Sequence, residues 1–174
     1  MKNKFEVRGN LVAIFLRRKD GSVLETIIDL SDLTRVDEYV GSWCASWSPY
    51  TKSFYATGHT PRVNGKQRTI HLHRWIMKTP IGLQVDHINN DTLRNIRENL
   101  RNVTNNINTQ NKKGSRVDSA SGFRGVSWKK ATNKWQSRVM VNGKSIYLGY
   151  YTNLQEATTA AHNARVKFMA GYIY

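Results

Sequence analysis

The pair Asn142 and Gly143 constrains the fold of this chain more than any other feature. It separates two segments, residues 135–141 and 145–151, whose side chains suit strands. An Asn-Gly pair favours a type I′ turn, in which both central residues have positive φ, and that turn joins antiparallel strands. Together with an apolar segment at 123–128, the pattern predicts a three-stranded antiparallel sheet.

One helix is predicted to follow this sheet. Leu154, Ala157, Ala161, Ala164 and Phe168 recur close to helical spacing and form a stripe of mostly small residues. A single helix covers one face of a three-stranded sheet, so the other face is expected to be exposed. The polar and basic residues of that exposed face would suit the major groove of DNA.

The N-terminal part of the chain predicts short strands and one short helix. Residues 11–16 and 23–30 flank the turn signal RRKDG and predict a β-hairpin. Ser31 is expected to cap a helix that ends at Gly41. The apolar positions of that helix would be Leu33, Val36 and Val40.

The middle of the chain predicts alternating short elements. Aromatic-rich segments around Trp43, Trp47, Phe54 and Tyr55 indicate further strands. The segment TIHLHRWIM predicts a strand and then a short helix stopped by Pro80. Residues 85–87 are expected to form a strand, and residues 95–108 to be mostly helical.

Positive charge is concentrated after residue 60. The 174-residue chain holds 27 Lys and Arg against 12 Asp and Glu, a net charge of +15. Residues 1–60 hold eight cations and seven anions (+1), residues 61–113 ten and three (+7), and residues 114–174 nine and two (+7). Clustered cations release counterions on meeting phosphates, which gives salt-sensitive affinity for nucleic acid. From charge alone, a basic solvated surface of the kind found on ribosomal or membrane-surface proteins stays open.

Cysteine content and hydropathy indicate a cellular setting. The single cysteine, Cys44, excludes an intrachain disulfide and a CxxC zinc site, and it is expected to be a small buried residue. The opening MKNKFEVRGN lacks the apolar core of a signal peptide, and the longest apolar run, residues 11–16, is too short to cross a bilayer. We expect a soluble, intracellular protein of the host cytoplasm without a membrane partner.

The segment VDHINNDTLRNIRENL carries the strongest chemical signal. Asp86 offers a charged oxygen and Asn108 a carboxamide oxygen, donors that suit Mg²⁺, for which Mn²⁺ can substitute. A neutral imidazole at His87 can take a proton from water near pH 7. Asn99 could bond the loop backbone and hold the histidine in position. An adjacent Asp and His are usually structural, and it is the spacing of all four residues that predicts a site.

Residues 72–112, from LHRWIM to NLRNVTNNINTQN, resemble the HNH nuclease motif of phage- and intron-encoded homing endonucleases. The resemblance implies a ββα-metal fold and hydrolysis of phosphodiester bonds in DNA to leave a 5′ phosphate. It implies that Asp86 and Asn108 are metal ligands, His87 the general base and Asn99 the loop-stabilising asparagine. His73 matches a recurrent position expected to support packing or a phosphate, whereas His71 and His59 have no matched role.

Three positions depart from the pattern of that family. Asn90 stands where a loop glycine is frequent, Arg94 where an acidic residue is expected, and Ile96 where an arginine is expected. Asparagine tolerates the left-handed backbone region, so the turn is expected to persist. None of the four chemical positions is lost, and we therefore expect an active site.

Residues 122–171 resemble the Apetala2/ethylene-response-factor DNA-binding domain, which occurs fused to HNH nucleases in phages. The matching pieces are FRGVSW, NKW, YLGYY and LQEATTAAHNA. In that family the sheet enters the major groove, which implies DNA contacts from Arg124, Ser127, Lys129, Gln136, Arg138, Met140, Ser145 and Tyr147. Several of these replace family arginines and tryptophans, so the plant recognition sequence is not expected. The helix residues His162 and Arg165 are expected to be solvated.

These patterns together predict an α+β protein in three parts. A β-rich platform and the ββα-metal nuclease domain would occupy residues 1–110, an exposed basic linker 111–121, and a three-stranded sheet packed on one helix 122–174. The predicted function is a metal-dependent, homing-type endonuclease that acts on double-stranded DNA as a monomer or dimer. One metal centre per monomer favours nicking of one strand. The alternatives are a non-catalytic DNA-binding regulator and, third, an RNA-binding or RNA-cleaving protein.

Overall fold

The computed structural model describes residues 1–111 and 119–173. The chain divides into two compact units, Met1–Thr104 and Asn105–Tyr174. The predicted boundary after residue 110 lies a few residues later than this division. Both units combine β-sheet with α-helix, so the fold class is α+β, as predicted.

A four-stranded mixed sheet begins the first unit. It contains β1 (Phe5–Arg8), β2 (Leu11–Arg17) and β3 (Val23–Asp29), and the short strand β8 (Arg94–Asn95) adds to β3 in parallel. The predicted hairpin of β2 and β3 is confirmed. The inward-facing side chains of this sheet lie in the main core of the unit: Val12, Ile14, Leu16 and Ile28.

The predicted capped helix is shorter and begins differently. A 3₁₀ turn at Leu30–Asp32 leads into α1 (Leu33–Asp37), and no side chain caps either N-terminus. The expectation that Ser31 caps the helix is therefore wrong. The helix ends before Val40, which is 74% exposed rather than buried on an apolar face.

A second sheet and a helix follow, as the aromatic and TIHLHRWIM segments predict. The sheet contains β4 (Cys44–Ser48), β5 (Ser53–His59) and β6 (Thr69–His71), and the helix α2 (Leu72–Met77) starts directly after β6. Lys78 ends α2 in the left-handed region with φ of 45°, ahead of Pro80. Cys44 is exposed at the start of β4, so the expectation of a buried thiol is wrong.

Only the last part of the segment expected to be mostly helical, residues 95–108, is α-helical. Strand β7 (Gln84–His87) pairs antiparallel with β9 (Leu100–Val103), and only a 3₁₀ turn at Arg97–Asn99 separates β8 from β9. A helix begins only at α3 (Asn105–Gln110), in the second unit. Asn99 bonds backbone groups of the loop, and such side-chain bonds compete with the hydrogen bonds of a helix.

The second unit contains the predicted sheet and helix. Strands β10 (Val126–Lys129), β11 (Lys134–Val141) and β12 (Lys144–Tyr151) form an antiparallel sheet, and α4 (Leu154–Phe168) packs on one face. Asn142 and Gly143 have φ of 49° and 78°, as a type I′ turn requires. The small-residue stripe is buried at Ala157, Ala161 and Ala164.

The two described ends of the predicted linker are packed rather than exposed. Asn111 keeps 4% of its surface exposed and Ser121 keeps 7%. Ser121 Oγ donates to the carbonyl of Val126 at 2.7 Å, which ties this residue to β10. The expectation of an exposed tether is therefore wrong at these two residues, while residues 112–118 of the predicted linker lie outside the described residues. In the described part of the chain, no helix has the length and apolarity needed to span a membrane.

Candidate active site and sheet surface

The strand β7 carries Asp86 to a position opposite Arg101 on β9. Arg101 donates to one carboxylate oxygen, Oδ2, from Nε at 2.9 Å and from Nη2 at 2.7 Å. Asp86 is only 6% exposed. A buried carboxylate is stable only with compensation of its charge, and the cross-strand guanidinium supplies that compensation.

His87 ends β7 and is also 6% exposed. Its Nε2 atom lies 3.0 Å from Oδ1 of Asn95, which belongs to β8. Burial lowers the pKa of His87 below its usual value, although the hydrogen bond with Asn95 and the charge of Asp86 act in the opposite direction. The imidazole is therefore neutral near pH 7 and can accept a proton.

Asn99 fastens the loop that follows His87. Its Oδ1 atom accepts from the backbone N–H of Asn89 at 2.9 Å, and its Nδ2 atom donates to the carbonyl of Arg94 at 2.8 Å. Asn90 has φ of 63°, so the loop after His87 keeps a left-handed residue, as expected of an asparagine at this position. These contacts agree with the interpretation of Asn99 as a loop-stabilising residue, here on a 3₁₀ turn rather than on a helix.

Three imidazoles and a phenol form what we call the histidine cluster: His71, His73, His87 and Tyr55. The ring centroid of His73 lies 5.2 Å from that of His71 and 5.1 Å from that of His87. Tyr55 on β5 has its ring centroid 5.8 to 6.2 Å from all three. His73 is buried within the first unit, and its expected role in packing or phosphate support stays a prediction.

The interior of the histidine cluster disfavours positive charge. Burial, followed by the neighbouring imidazoles and Arg74, lowers the pKa of His73 to about 2. Burial and Arg74 also lower the pKa of His71. Sequence reasoning assigned no role to His71 and did not associate Tyr55 with the site. The alternating HLH pattern at the junction of β6 and α2 is the one local signal for the pairing of His71 with His73.

The predicted metal ligands occupy two different elements. Asp86 is on β7, and Asn108 is a partly buried residue of α3 in the second unit. Among the described residues, no group of three or more His, Cys, Asp or Glu is arranged to hold a metal ion. A ligand pair of one carboxylate and one carboxamide is not such a group, and the assignment of Asp86 and Asn108 stays a prediction.

The sheet of the second unit has one exposed face, and we call it the sheet face. The paired positions Ser127 with Gln136, Arg138 with Tyr147, and Met140 with Ser145 follow the register of β10, β11 and β12. Seven of the eight predicted DNA-contacting residues lie on these strands and share this face: Ser127, Lys129, Gln136, Arg138, Met140, Ser145 and Tyr147. All except Gln136, which is partly buried, are exposed.

A β-bulge adds a residue to the sheet face that simple alternation misses. The register shifts between Ser137 and Arg138, so that Gly149 pairs with Ser137 but Tyr147 pairs with Arg138. Tyr150 consequently points to the same side as Tyr147, with ring centroids 5.5 Å apart, and is 43% exposed. The glycine inside β12 is the sequence signal for this bulge. Lys134, opposite Lys129, is a second exposed residue of the face that sequence reasoning omitted.

Arg124 and Arg165 differ from their predicted settings. Arg124 precedes β10, and its Nη1 donates to the carbonyl of Gln110 at 2.9 Å, so it is not a strand residue of the sheet face. Burial lowers its pKa. Arg165 is 6% exposed and donates to the carbonyl of Arg124 at 2.8 Å, so the expectation of a solvated arginine is wrong. His162 is close to Tyr172, with Nδ1 3.1 Å from the phenol oxygen.

Comparison of this chain with protein-family models, with curated proteins and with solved structures finds no match. The geometry of the histidine cluster and of the sheet face is therefore the basis for a functional proposal.

Proposed function

We propose that this chain is a metal-dependent, HNH-type homing endonuclease that hydrolyses phosphodiester bonds in duplex DNA. The observation that carries the proposal is the setting of His87. It is a buried imidazole with a lowered pKa, hydrogen-bonded between Nε2 and Asn95 and adjacent in sequence to the buried carboxylate of Asp86. A general base requires a neutral imidazole held in one orientation.

The proposed reaction is a hydrolysis in which His87 takes one proton. As the oxygen of a water molecule forms a bond to phosphorus, His87 accepts the proton that this water loses. The bond from phosphorus to the 3′ oxygen breaks, and this oxygen takes a proton from solvent water, to which His87 later gives up the proton that it accepted. The products are a 5′ phosphate and a 3′ hydroxyl. Asn99 contributes by holding the loop after His87 through its bonds to Asn89 and Arg94.

Asp86 and Asn108 would hold Mg²⁺ or Mn²⁺. The donors are chemically suitable, because both ions prefer oxygen ligands and accept phosphate oxygens and water at the remaining positions. The buried carboxylate of Asp86 already attracts one cationic group, the guanidinium of Arg101, at 2.7 Å. Such an ion would stabilise negative charge on the phosphate and the leaving oxygen.

The sheet face is the proposed DNA-reading surface. It presents Lys129, Lys134 and Arg138 beside the exposed rings of Tyr147 and Tyr150. Cations contact phosphates and give affinity, whereas aromatic and amide side chains contact bases or sugars. A face of this composition, in a part of the chain with +7 net charge, suits duplex DNA.

The proposal is tested by plasmid cleavage. Supercoiled plasmid incubated with the full-length protein and Mg²⁺ should be nicked, and EDTA should stop the reaction. His87→Ala should lose at least about a hundredfold in rate, the usual contribution of a general base, while binding to DNA persists. His59→Ala is the matched control, because this exposed histidine lies outside the histidine cluster. Equal cleavage by His87→Ala and the wild-type protein would refute the assignment of the base.

A non-catalytic DNA-binding regulator is the second candidate. The ion pair of Asp86 with Arg101 favours it, since the carboxylate already has a cationic partner. This function predicts tight binding to duplex DNA that is independent of Mg²⁺, with no cleavage in Mg²⁺ or Mn²⁺. Measuring binding and cleavage on the same DNA, with and without metal, separates the two candidates.

A further inference from the structure

A chain of buried hydrogen bonds connects β3 to His87. Oγ1 of Thr26 lies 2.7 Å from the carbonyl oxygen of Leu93 and 2.8 Å from Nδ2 of Asn95. The other end of the same amide, Oδ1 of Asn95, lies 3.0 Å from Nε2 of His87. Thr26 and Asn95 are both 0% exposed, so water does not compete for these groups.

The direction of each bond follows from chemistry. A carbonyl oxygen only accepts, so the hydroxyl of Thr26 donates a hydrogen bond to the carbonyl oxygen of Leu93. The Thr26 oxygen then accepts from the amide of Asn95, and this determines which end of the amide is NH₂. The remaining amide oxygen faces His87 and can only accept, so Nε2 of His87 carries a proton.

We infer that Thr26 and Asn95 are positioning residues that hold His87 in the Nε2–H tautomer. In this tautomer the lone pair is on Nδ1, which makes Nδ1 the atom that accepts the proton of water. The inference deepens the proposed function and rests on it for its catalytic meaning. It also gives the N-terminal sheet a part in the site, because Thr26 belongs to β3.

The backbone keeps the two positioning residues in register. Strand β8 pairs with β3 in parallel, with Asn95 opposite Ile28, and the N–H of Ile27 donates to the carbonyl of Leu93 at 2.9 Å. A flip of the Asn95 amide would exchange its two ends. The NH₂ group would then face Nε2 of His87, and the amide oxygen would face the Thr26 oxygen. A buried group left without its partner is costly, so the arrangement has one favourable orientation.

The tautomer is measured directly by NMR. The full-length protein is labelled with ¹⁵N in histidine, and long-range ¹H–¹⁵N correlation spectra at pH 7.5 show which ring nitrogen carries the proton. The spectrum of His87→Gln identifies the signals of His87. We expect the Nε2–H form in the wild-type protein. A wild-type spectrum dominated by the Nδ1–H form would overturn the inference.

Substitutions at Thr26 test the chain of hydrogen bonds from Thr26 through Asn95 to His87 separately from folding. Thr26→Val keeps the shape but removes the acceptor for the Asn95 amide, and we expect the Nδ1–H form to appear in its spectrum. Thr26→Ser restores the hydroxyl and should restore the wild-type spectrum. Ile14→Val, a loss of one buried methylene opposite Thr26, is the matched packing control and should leave the tautomer unchanged. An unchanged spectrum in Thr26→Val would overturn the role of Thr26.

Cleavage assays on the same proteins connect the tautomer to the reaction. Thr26→Val should lower the Mg²⁺-dependent nicking rate roughly tenfold, equivalent to the net value of one hydrogen bond, and Thr26→Ser should recover most of it. Asn95→Leu, which removes the acceptor itself, should lose more. Equal nicking rates in Thr26→Val and the wild-type protein would overturn the positioning role. A wild-type protein with the expected tautomer but no nicking would refute the nuclease proposal and leave the tautomer assignment standing.

Discussion

The buried imidazole of His73 should make the first unit sensitive to mild acid. We propose to compare the wild-type protein with His73→Phe at pH 7 and pH 5. Phenylalanine keeps an aromatic ring against His71, His87 and Tyr55 but has no group that titrates. Because His73 is only 8% exposed and its pKa is lowered to about 2, the folded protein does not protonate it at pH 5.

The magnitude follows from proton linkage. The folded-state pKa of His73 lies below the value of 6.5 that applies when the chain is unfolded. The unfolded chain therefore binds more protons, and stability falls as pH decreases below about 6.5. Because pH 5 lies about 1.5 units below the pKa of 6.5 in the unfolded chain, protonation stabilises the unfolded state by about 2 kcal/mol, at 1.36 kcal/mol per unit. His73→Phe should lack this part of the acid sensitivity.

Urea unfolding monitored by tryptophan fluorescence measures the difference. Trp43 and Trp75 lie in the core of the first unit, with ring centroids 6.4 Å apart. The free energy of unfolding should decrease between pH 7 and pH 5 by about 2 kcal/mol more in the wild-type protein than in His73→Phe. His59→Phe, which removes an exposed imidazole, should behave like the wild-type protein. Equal pH dependence in His73→Phe and the wild type would show that His73 is not buried as a neutral ring.

Two further predictions concern charge. Arg101→Gln removes the guanidinium from buried Asp86. Because Arg101 is itself partly exposed, we expect the free energy of unfolding in EDTA to fall by about 2 kcal/mol and to recover in part in Mg²⁺, as measured by thermal unfolding. The same decrease with and without Mg²⁺ would mean that no metal reaches the carboxylate. Lys134→Ala should reduce the slope of the logarithm of the DNA-binding constant against the logarithm of salt concentration by about 0.9, whereas Lys167→Ala on α4 should not. An unchanged slope in Lys134→Ala would place this lysine outside the DNA contact.

Features set by local sequence could be predicted. The turn at Asn142 and Gly143 needs only two adjacent residues with positive φ, and the stripe in α4 needs only helical spacing. The strand around His87 and the left-handed Asn90 are local in the same sense. In each case, the residues that determine the structure are within a few positions of one another.

Features set by distant partners could not be predicted. The sequence predicted a helix over residues 95–108, but Asn95 pairs with Ile28 of β3, 67 positions earlier in the sequence, and β9 pairs with β7. The setting of Arg124 depends on the carbonyl of Gln110, and that of His71 on Tyr55. No periodicity within a single segment contains this information.

The groups of the proposed site are either neutral or paired with an opposite charge. Burial keeps the imidazoles of the histidine cluster neutral, and Arg101 offsets the carboxylate of Asp86. The cations proposed to contact DNA, Lys129, Lys134 and Arg138, are instead exposed residues of the sheet face. Because a protonated His87 could not act as a base, a strongly cationic site would bind a phosphate better and hydrolyse it worse. Under the proposed function, the chain can therefore be basic overall and still carry a neutral imidazole near pH 7.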